Sequence, residues 1–480
     1  MNREFLINIA FLLGINLLIK PIYLFGIDRN VQNLVFEDYG WFATFWSFTF
    51  LFQIIADLGL QYYNNRQISQ HRHLLNKYFP SLLVLKLGLS FFFIIVLFIA
   101  GFLKGYLQEY PLLFSLLAIN QTLLSFLLYF RTNVSGLGYY RYDSFLSILD
   151  KLLMIVVLGV ILWGGVGKDQ FQIEWFALAQ TFSLVVTILV AIILIRKRLT
   201  KWSWRIKWPL LRLILKESYP YALAVFLMTF YTRLDIVMIE SLLESDNSIK
   251  EAAYYAAAYR LLDAANMIGY LFAALLLPMF SRMFKEGQSV NSLVHISIRL
   301  IWAGAIPLAI GVFVFQQPIM EVLYEEGNAY SGRILGWLML SFIAITGTYI
   351  YGTLIVAHGS LMKLNWIYII SVILNVILNY IFIKSHKAEG AAFATLITQA
   401  FVLLAQIILA KRWIPLAFDI KLILIIGVYV LAILGLVWII QLINVVWFLQ
   451  LLLLLLASLM VSFVLKMIDL REVQHLMNNR

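Results

Sequence analysis

The sequence predicts an all-α polytopic membrane protein, and three observations predict it. Of its 480 residues 62% are hydrophobic and 13% charged, and mean hydropathy is +0.89. A water-soluble domain with that balance would present one contiguous apolar surface. Apolar stretches of about 20 residues, the length that crosses ~30 Å of hydrocarbon at 1.5 Å per residue, recur from end to end with short polar breaks. No outer connection exceeds about 20 residues, so there is no room for an extramembrane catalytic domain.

Fourteen spans follow, over 4–26, 41–63, 79–103, 111–131, 144–166, 172–195, 217–241, 252–280, 293–317, 333–357, 362–383, 388–410, 418–440 and 444–467. The first has no small-residue cleavage site behind it and continues into "KPIYLFGIDRN", so it is expected to stay as an uncleaved span. There are no cysteines, and the six histidines are scattered without ligand spacing. No disulfide, metal site or resident cofactor is expected. "GGVGK" at 164–168 lacks the spacing of a phosphate loop.

Net charge is +11. With the N-terminus in the cytoplasm and the spans alternating, 23 of the 36 Lys and Arg fall in cytoplasmic segments, 8 in outer ones and 5 within spans. That bias predicts both termini inside. Lys20 and Arg29 count as outer here, and the loop with Lys384 and Lys387 dissents. The longest inner connection alternates cations with Trp202, Trp204 and Trp208, as suits an anionic headgroup layer rather than nucleic acid.

This basic segment, 196–216, separates an N-terminal lobe of six helices (1–195) from a C-terminal lobe of six (217–410), followed by two extra helices and a cytoplasmic tail (411–480). At an offset of 222, Gly138 falls nearly on Gly359, Arg141 on Lys363 and Asp143 on Asn365, and "WFALAQTF" resembles "AFATLITQAF". The matches suggest two pseudo-symmetric repeats related by an axis along the membrane normal, with a cavity between them.

Charges inside spans are costly, at least ~2.5 to 3.5 kcal/mol on insertion scales, and persist where they are paired or wet. If the hairpin of spans seven and eight turns near 247 or 248, Asp235 matches Arg260 in depth and Arg233 matches Asp263. They form either two structural ion pairs or exchangeable pairs that release arginines to an anionic substrate. Glu240 reads as a solvated residue at a helix end. Asp57, Lys86, Asp150 and Lys151 lie near the inner face and could form one cluster, with Arg299 across from it. A first station for a phosphate-bearing head group is one reading; snorkelling lysines with a capping aspartate is the other. Asn375, Asn379, Gln180, Gln399 and Gln53 read as interhelical glue.

At "ADLGLQYYNNRQIS" (56–69), "RLDIVMIESLLESDNSIKEAAYYAAAYRLLDAANMIGYLFAALLLPMFSR" (233–282) and "NVILNYIFIKSHKAEGAAFATLITQ" (375–399) the chain resembles the bacterial Wzx-type polysaccharide flippases, a branch of the multidrug/oligosaccharidyl-lipid/polysaccharide exporter superfamily. The resemblance implies two MATE-like lobes in a V plus two helices. It implies alternating access that carries an undecaprenyl-pyrophosphate-linked oligosaccharide from the cytoplasmic to the periplasmic leaflet of the inner membrane, during O-antigen-type polysaccharide synthesis. No enzymatic activity is implied. The substrate, membrane lipids and other polysaccharide-assembly membrane proteins are the expected partners, and the coupling ion, H+ or Na+, is left open. By motif position Arg260 in "AAYRLLD" carries the substrate role with Asp235 beside it.

Four alternatives stand beside this reading, one of them a structural scaffold without transport, which leaves the inner charges unexplained. A cation-coupled multidrug exporter of this fold usually has twelve spans, and a membrane glycosyl polymerase or ligase needs a large outer loop. A lipid II flippase has more cations in the first two spans, where this chain offers Lys20, read near the outer end of span one, and Asp57.

Overall fold

The computed structural model describes residues 14–16, 18–61, 64, 75–137, 139–164, 170–196, 208–416 and 419–469. Most of the basic linker, with Trp202 and Trp204, lies outside them. So do Gly138 of the repeat match, most of "GGVGK", the start of span one and "RQIS" of the first family-like motif.

Among the described residues the chain is helical throughout, because backbone groups in hydrocarbon must bond within their own segment. Helix α1 comprises the described residues 14–16 and 18–34 and includes a π-helical stretch, Ile22–Asp28; α2 spans 36–57 in two pieces, Phe36–Leu51 and Gln53–Asp57. Then follow α3 (Leu75–Leu103), α4 (Pro111–Gly136), α5 (Tyr140–Trp163), α6 (Ile173–Arg196), α7 (Trp208–Leu242), α8 (Ser245–Lys285), α9 (Asn291–Val314) and α10 (Ala329–Ala357). The helical run Leu361–Trp413 is broken at Lys387, whose φ of 53° and ψ of −133° are not helical. It supplies α11 (361–386) and α12 (388–413). Helices α13 (Ile420–Gln441) and α14 (Trp447–Val464) complete the chain.

Eleven described helices are long and apolar enough to cross a membrane. One of these is the broken α11–α12 run, and α1 and α2 precede them, so the described residues hold fourteen long helices in the order drawn from the sequence. The protein is a multi-pass membrane protein.

The helices gather into two compact units, Met1–Glu240 and Ser241–Arg480. Helix α7 packs with the first unit, so the division falls one helix beyond the basic linker. The first unit's core lies among α3 to α6, with Phe79, Leu82, Tyr129, Leu146 and Leu184 buried. Glue residues act across it: Asn120 of α4 donates to the Ala177 carbonyl (2.9 Å) and to Gln180 (3.2 Å) of α6. In the second unit, α13 and α14 pack on α9 around Tyr429, whose hydroxyl donates to the Ala303 carbonyl at 2.7 Å. Asn375 and Asn379 are buried on α11 and bond to each other at 3.0 Å.

Two breaks position charged side chains. After Asp57 the chain turns left-handed at Leu58 (φ 44°) and Gly59 (φ 75°). A β-carbon at Gly59 would stand 2.7 Å from the Ser218 carbonyl of α7, so the conformation and the close approach both require glycine. The second break, at Lys387, is held by Glu251, as described below.

Candidate functional site

Two charged centres lie within the first unit. In one, the Lys86 ammonium of α3 is wholly buried, 2.7 Å from Asp57 Oδ1 and 2.6 Å from Ser125 Oγ of α4. The other Asp57 oxygen accepts from the Gln61 backbone N–H at 3.4 Å. Lys86 thus ties the broken end of α2 to α3 and α4. A buried charge that has its partners is costly to disturb and gives little to a ligand.

The other centre is built by α1, α4 and α5. Lys151 of α5 approaches Asp150 at 3.4 Å and stands 4.6 Å over the ring of Tyr23 on α1. Lys20 lies within electrostatic reach of Lys151, Arg131 and Asp150, and Arg131 Nε donates to Asp143 at 2.8 Å. Helices α1 and α5 are stitched by Asn16, which donates to Ser147 at 3.0 Å. The sequence reading of Lys20 as an outer residue is corrected here. Helix α1 does not stop at 26 but runs to Leu34, which leaves Lys20 about 21 Å before its end at 1.5 Å per residue, among residues read as inner-side. Arg131, counted in a cytoplasmic loop, is helical on α4.

The three cations here outnumber the two carboxylates, and the Lys151 and Asp150 side chains keep 24% and 14% of their exposure. Such a surplus in a site sheltered from bulk water favours a polyanion able to take several charge-assisted hydrogen bonds. Lys20, Arg131 and Tyr23 are the members missed as site residues from the sequence. The signal for α1's extension was present in Ile27 and Val31, one helical turn apart and both buried, inside the polar-looking stretch "IDRNVQNL".

The remaining candidates are placed as follows. Asp235 is fully buried on α7, and Arg233 lies 5.9 Å from the Phe50 ring. Arg260 and Asp263 are half-buried on α8, in the second unit. Glu240 is not a solvated helix end: Tyr106 donates to it at 2.7 Å and Lys104 lies at 3.9 Å. It belongs to a rim where tyrosines meet carboxylates, with Tyr39 on Asp28 at 2.8 Å and Tyr110 on Asp38 at 3.1 Å. Burial, reinforced by Asp38, pushes the Tyr110 phenol up to about 12, so it remains a donor. Arg299 of α9 donates to the Lys466 carbonyl beyond α14 at 3.1 Å.

The dissenting cations of the second unit also find partners. Lys387 pairs with Glu251 at 3.4 Å, and Lys384 donates to Tyr380 at 2.8 Å. Glu251 further accepts from Tyr330 and from the Ala388 N–H, while Arg333 and Trp337 bond Glu389 at 2.9 and 3.3 Å. Glu251, Tyr330, Lys387 and Glu389, with Ser385 and His386, border a cavity of about 370 Å³.

The fold is that of the MOP superfamily of transporters. The chain aligns with "Lipid II flippase MurJ, inward closed conformation" at TM-score 0.67 and 16% identity, covering 94% of this chain and 98% of that one. It aligns with an inward-facing multidrug resistance MATE family transporter at TM-score 0.63 and 13% identity, covering 81% and 93%. A MOP superfamily transporter from Pyrococcus furiosus, described as having reversed binding-pocket polarity, gives 0.58 and 13%, covering 84% and 95%. Among curated proteins no sequence matches. The family described as "Polysaccharide biosynthesis protein" matches residues 6–284, more than half of the chain, and the protein belongs to that family.

Proposed function

We propose that the protein flips an undecaprenyl-pyrophosphate-linked oligosaccharide, of the kind used in O-antigen-type surface polysaccharides, from the cytoplasmic to the periplasmic leaflet of the bacterial inner membrane. It does so by alternating access, with both termini cytoplasmic. The observation that carries the reading is the cation surplus of Lys20, Lys151 and Arg131 inside the helices of the first unit. A pyrophosphate carries the matching charge, and the family's link to polysaccharide synthesis supplies the lipid-linked sugar.

In this scheme Lys20 and Lys151 receive the pyrophosphate, and Arg233 and Arg260 engage it later. Lys86 and Asp57 hold the broken helix. A gradient of H+ or Na+ drives return to the inward state, and other membrane proteins of polysaccharide assembly deliver and take up the lipid.

The test places purified protein in proteoliposomes with a fluorescent undecaprenyl-pyrophosphate oligosaccharide and follows loss of protection from an external reductant. Equilibration faster than in empty vesicles, and lost in Arg260→Ala with thermal stability retained, supports the proposal. Wild-type rates equal to empty vesicles contradict it.

Lipid II is the second substrate reading. The argument against it is the scarcity of cations in the first two spans, Lys20 alone with Asp57, and Lys20 lying within electrostatic reach of Lys151 weakens only the part that placed Lys20 at the outer end. Running the same assay with lipid II and with an oligosaccharide lacking peptide separates the two.

A further inference from the structure

A second charged cavity lies within the second unit, apart from Lys20, Lys151 and Arg131. It encloses about 280 Å³ between α9 and the start of α13, lined by Ser292, His295, Ile296 and Arg299 on one side and Asp419, Leu422 and Ile425 on the other. The spacings i, i+3 and i+7 put Ser292, His295 and Arg299 on one face of α9. Residues at i+3 and i+6 from Asp419 do the same for α13.

The polar groups are of both signs. Arg299 reaches the Lys466 carbonyl at 3.1 Å, so its guanidinium is anchored where α14 ends. Asp419 caps α13: Oδ1 accepts from the N–H groups of Lys421 and Leu422 at 2.9 and 3.3 Å, while Oδ2 faces His295 Nδ1 at 3.5 Å. With the aspartate fixed by its capping role, the cavity always presents a carboxylate beside a guanidinium. A purely anionic ligand would meet that carboxylate at close range. Ile296, Leu422 and Ile425 give the cavity an apolar wall, and α13 beyond it exposes Leu424 and Leu431, the surface a lipid chain would follow.

We infer that this cavity binds the head group of a zwitterionic aminophospholipid, the phosphate on Arg299 and the ammonium on Asp419 Oδ2, with an acyl chain along Ile296, Leu422 and Ile425. Phosphatidylethanolamine fits best, because its primary ammonium donates hydrogen bonds that a quaternary one cannot. The bound lipid seats α13 and α14 against α9.

Native mass spectrometry of the full-length protein in detergent, with phosphatidylethanolamine, phosphatidylglycerol or phosphatidylcholine added at equal concentration, tests this. Phosphatidylethanolamine is expected to be retained about tenfold better than the other two, a difference of about 1.4 kcal/mol. Asp419→Asn, which keeps a good capping residue, should abolish the preference over phosphatidylglycerol, and Arg299→Gln should lower retention of all three phospholipids. Should Arg299→Gln fail to fold, Asp419→Asn decides alone.

Equal retention of the three lipids by wild type, or a preference unchanged in Asp419→Asn, overturns the inference. Soluble glycerophosphoethanolamine should not displace the lipid at equal concentration; if it does, the ligand is a free phosphoethanolamine compound and the lipid assignment fails.

Discussion

Lys86 with Asp57 and Lys151 with Asp150 are both lysine–aspartate pairs within the helices of the first unit, yet they differ in what surrounds them. Lys86 has no exposure and is met by a carboxylate and a hydroxyl at hydrogen-bond distance. Lys151 retains exposure, meets its aspartate at a longer 3.4 Å, leans on a tyrosine ring and has other cations nearby. The first arrangement is closed and the second is open. Identical residue types therefore differ in whether their charge is already satisfied, and the proposed substrate role falls on the pair that is not.

The comparison can be broken most sharply at the closed pair. Lys86→Ala leaves Asp57 without its cation and should cost about 3–5 kcal/mol, as losing one partner of a buried pair does, seen as a large fall in thermal midpoint. The double variant Lys86→Met with Asp57→Leu should recover most of that loss; a double variant as unstable as the single one would mean the pair is not closed.

Next in size is the turn that the pair supports. Gly59→Ala forces a side chain into a left-handed conformation 2.7 Å from the Ser218 carbonyl, with an expected loss of about 1–3 kcal/mol. Thermal unfolding in the same detergent measures it.

At the open centre the expectation is reversed. Lys151→Gln should slow flipping about tenfold, or about 1.4 kcal/mol, while moving the thermal midpoint little. At the smallest end, Glu286→Ala removes the exposed pair with Arg282, 2.6 Å apart one turn away, and an exposed hydrogen bond from Gln288 at 2.9 Å, and should change stability by no more than about 0.5 kcal/mol.

Much of the fold was legible in the sequence, because a bilayer imposes a length on every crossing and the apolar stretches declare it. The lobes' charged residues were legible as candidates for the same reason, since a charge stands out in hydrocarbon. Their sorting was not legible. Ser125 is an ordinary serine until it lies 2.6 Å from Lys86, and Lys387 is an unexplained outer cation until Glu251, 136 positions earlier, is seen beside it. Lys20 was misplaced because "IDRNVQNL" has the polarity of a loop, whereas packing buries Asp28 and Gln32 and keeps the segment helical. Arg299 likewise meets the Lys466 backbone, a contact no side-chain pattern announces.

The claim that the open centre, and not the closed pair, handles the substrate is tested most directly by one assay. Flipping of the fluorescent undecaprenyl-pyrophosphate oligosaccharide would be measured in proteoliposomes for wild type, Lys20→Gln/Lys151→Gln, and Lys86→Met/Asp57→Leu, each at equal reconstituted amount and with its thermal midpoint recorded. The account predicts that the first double variant is stable and nearly inactive while the second still flips. A first double variant that flips at the wild-type rate would contradict it.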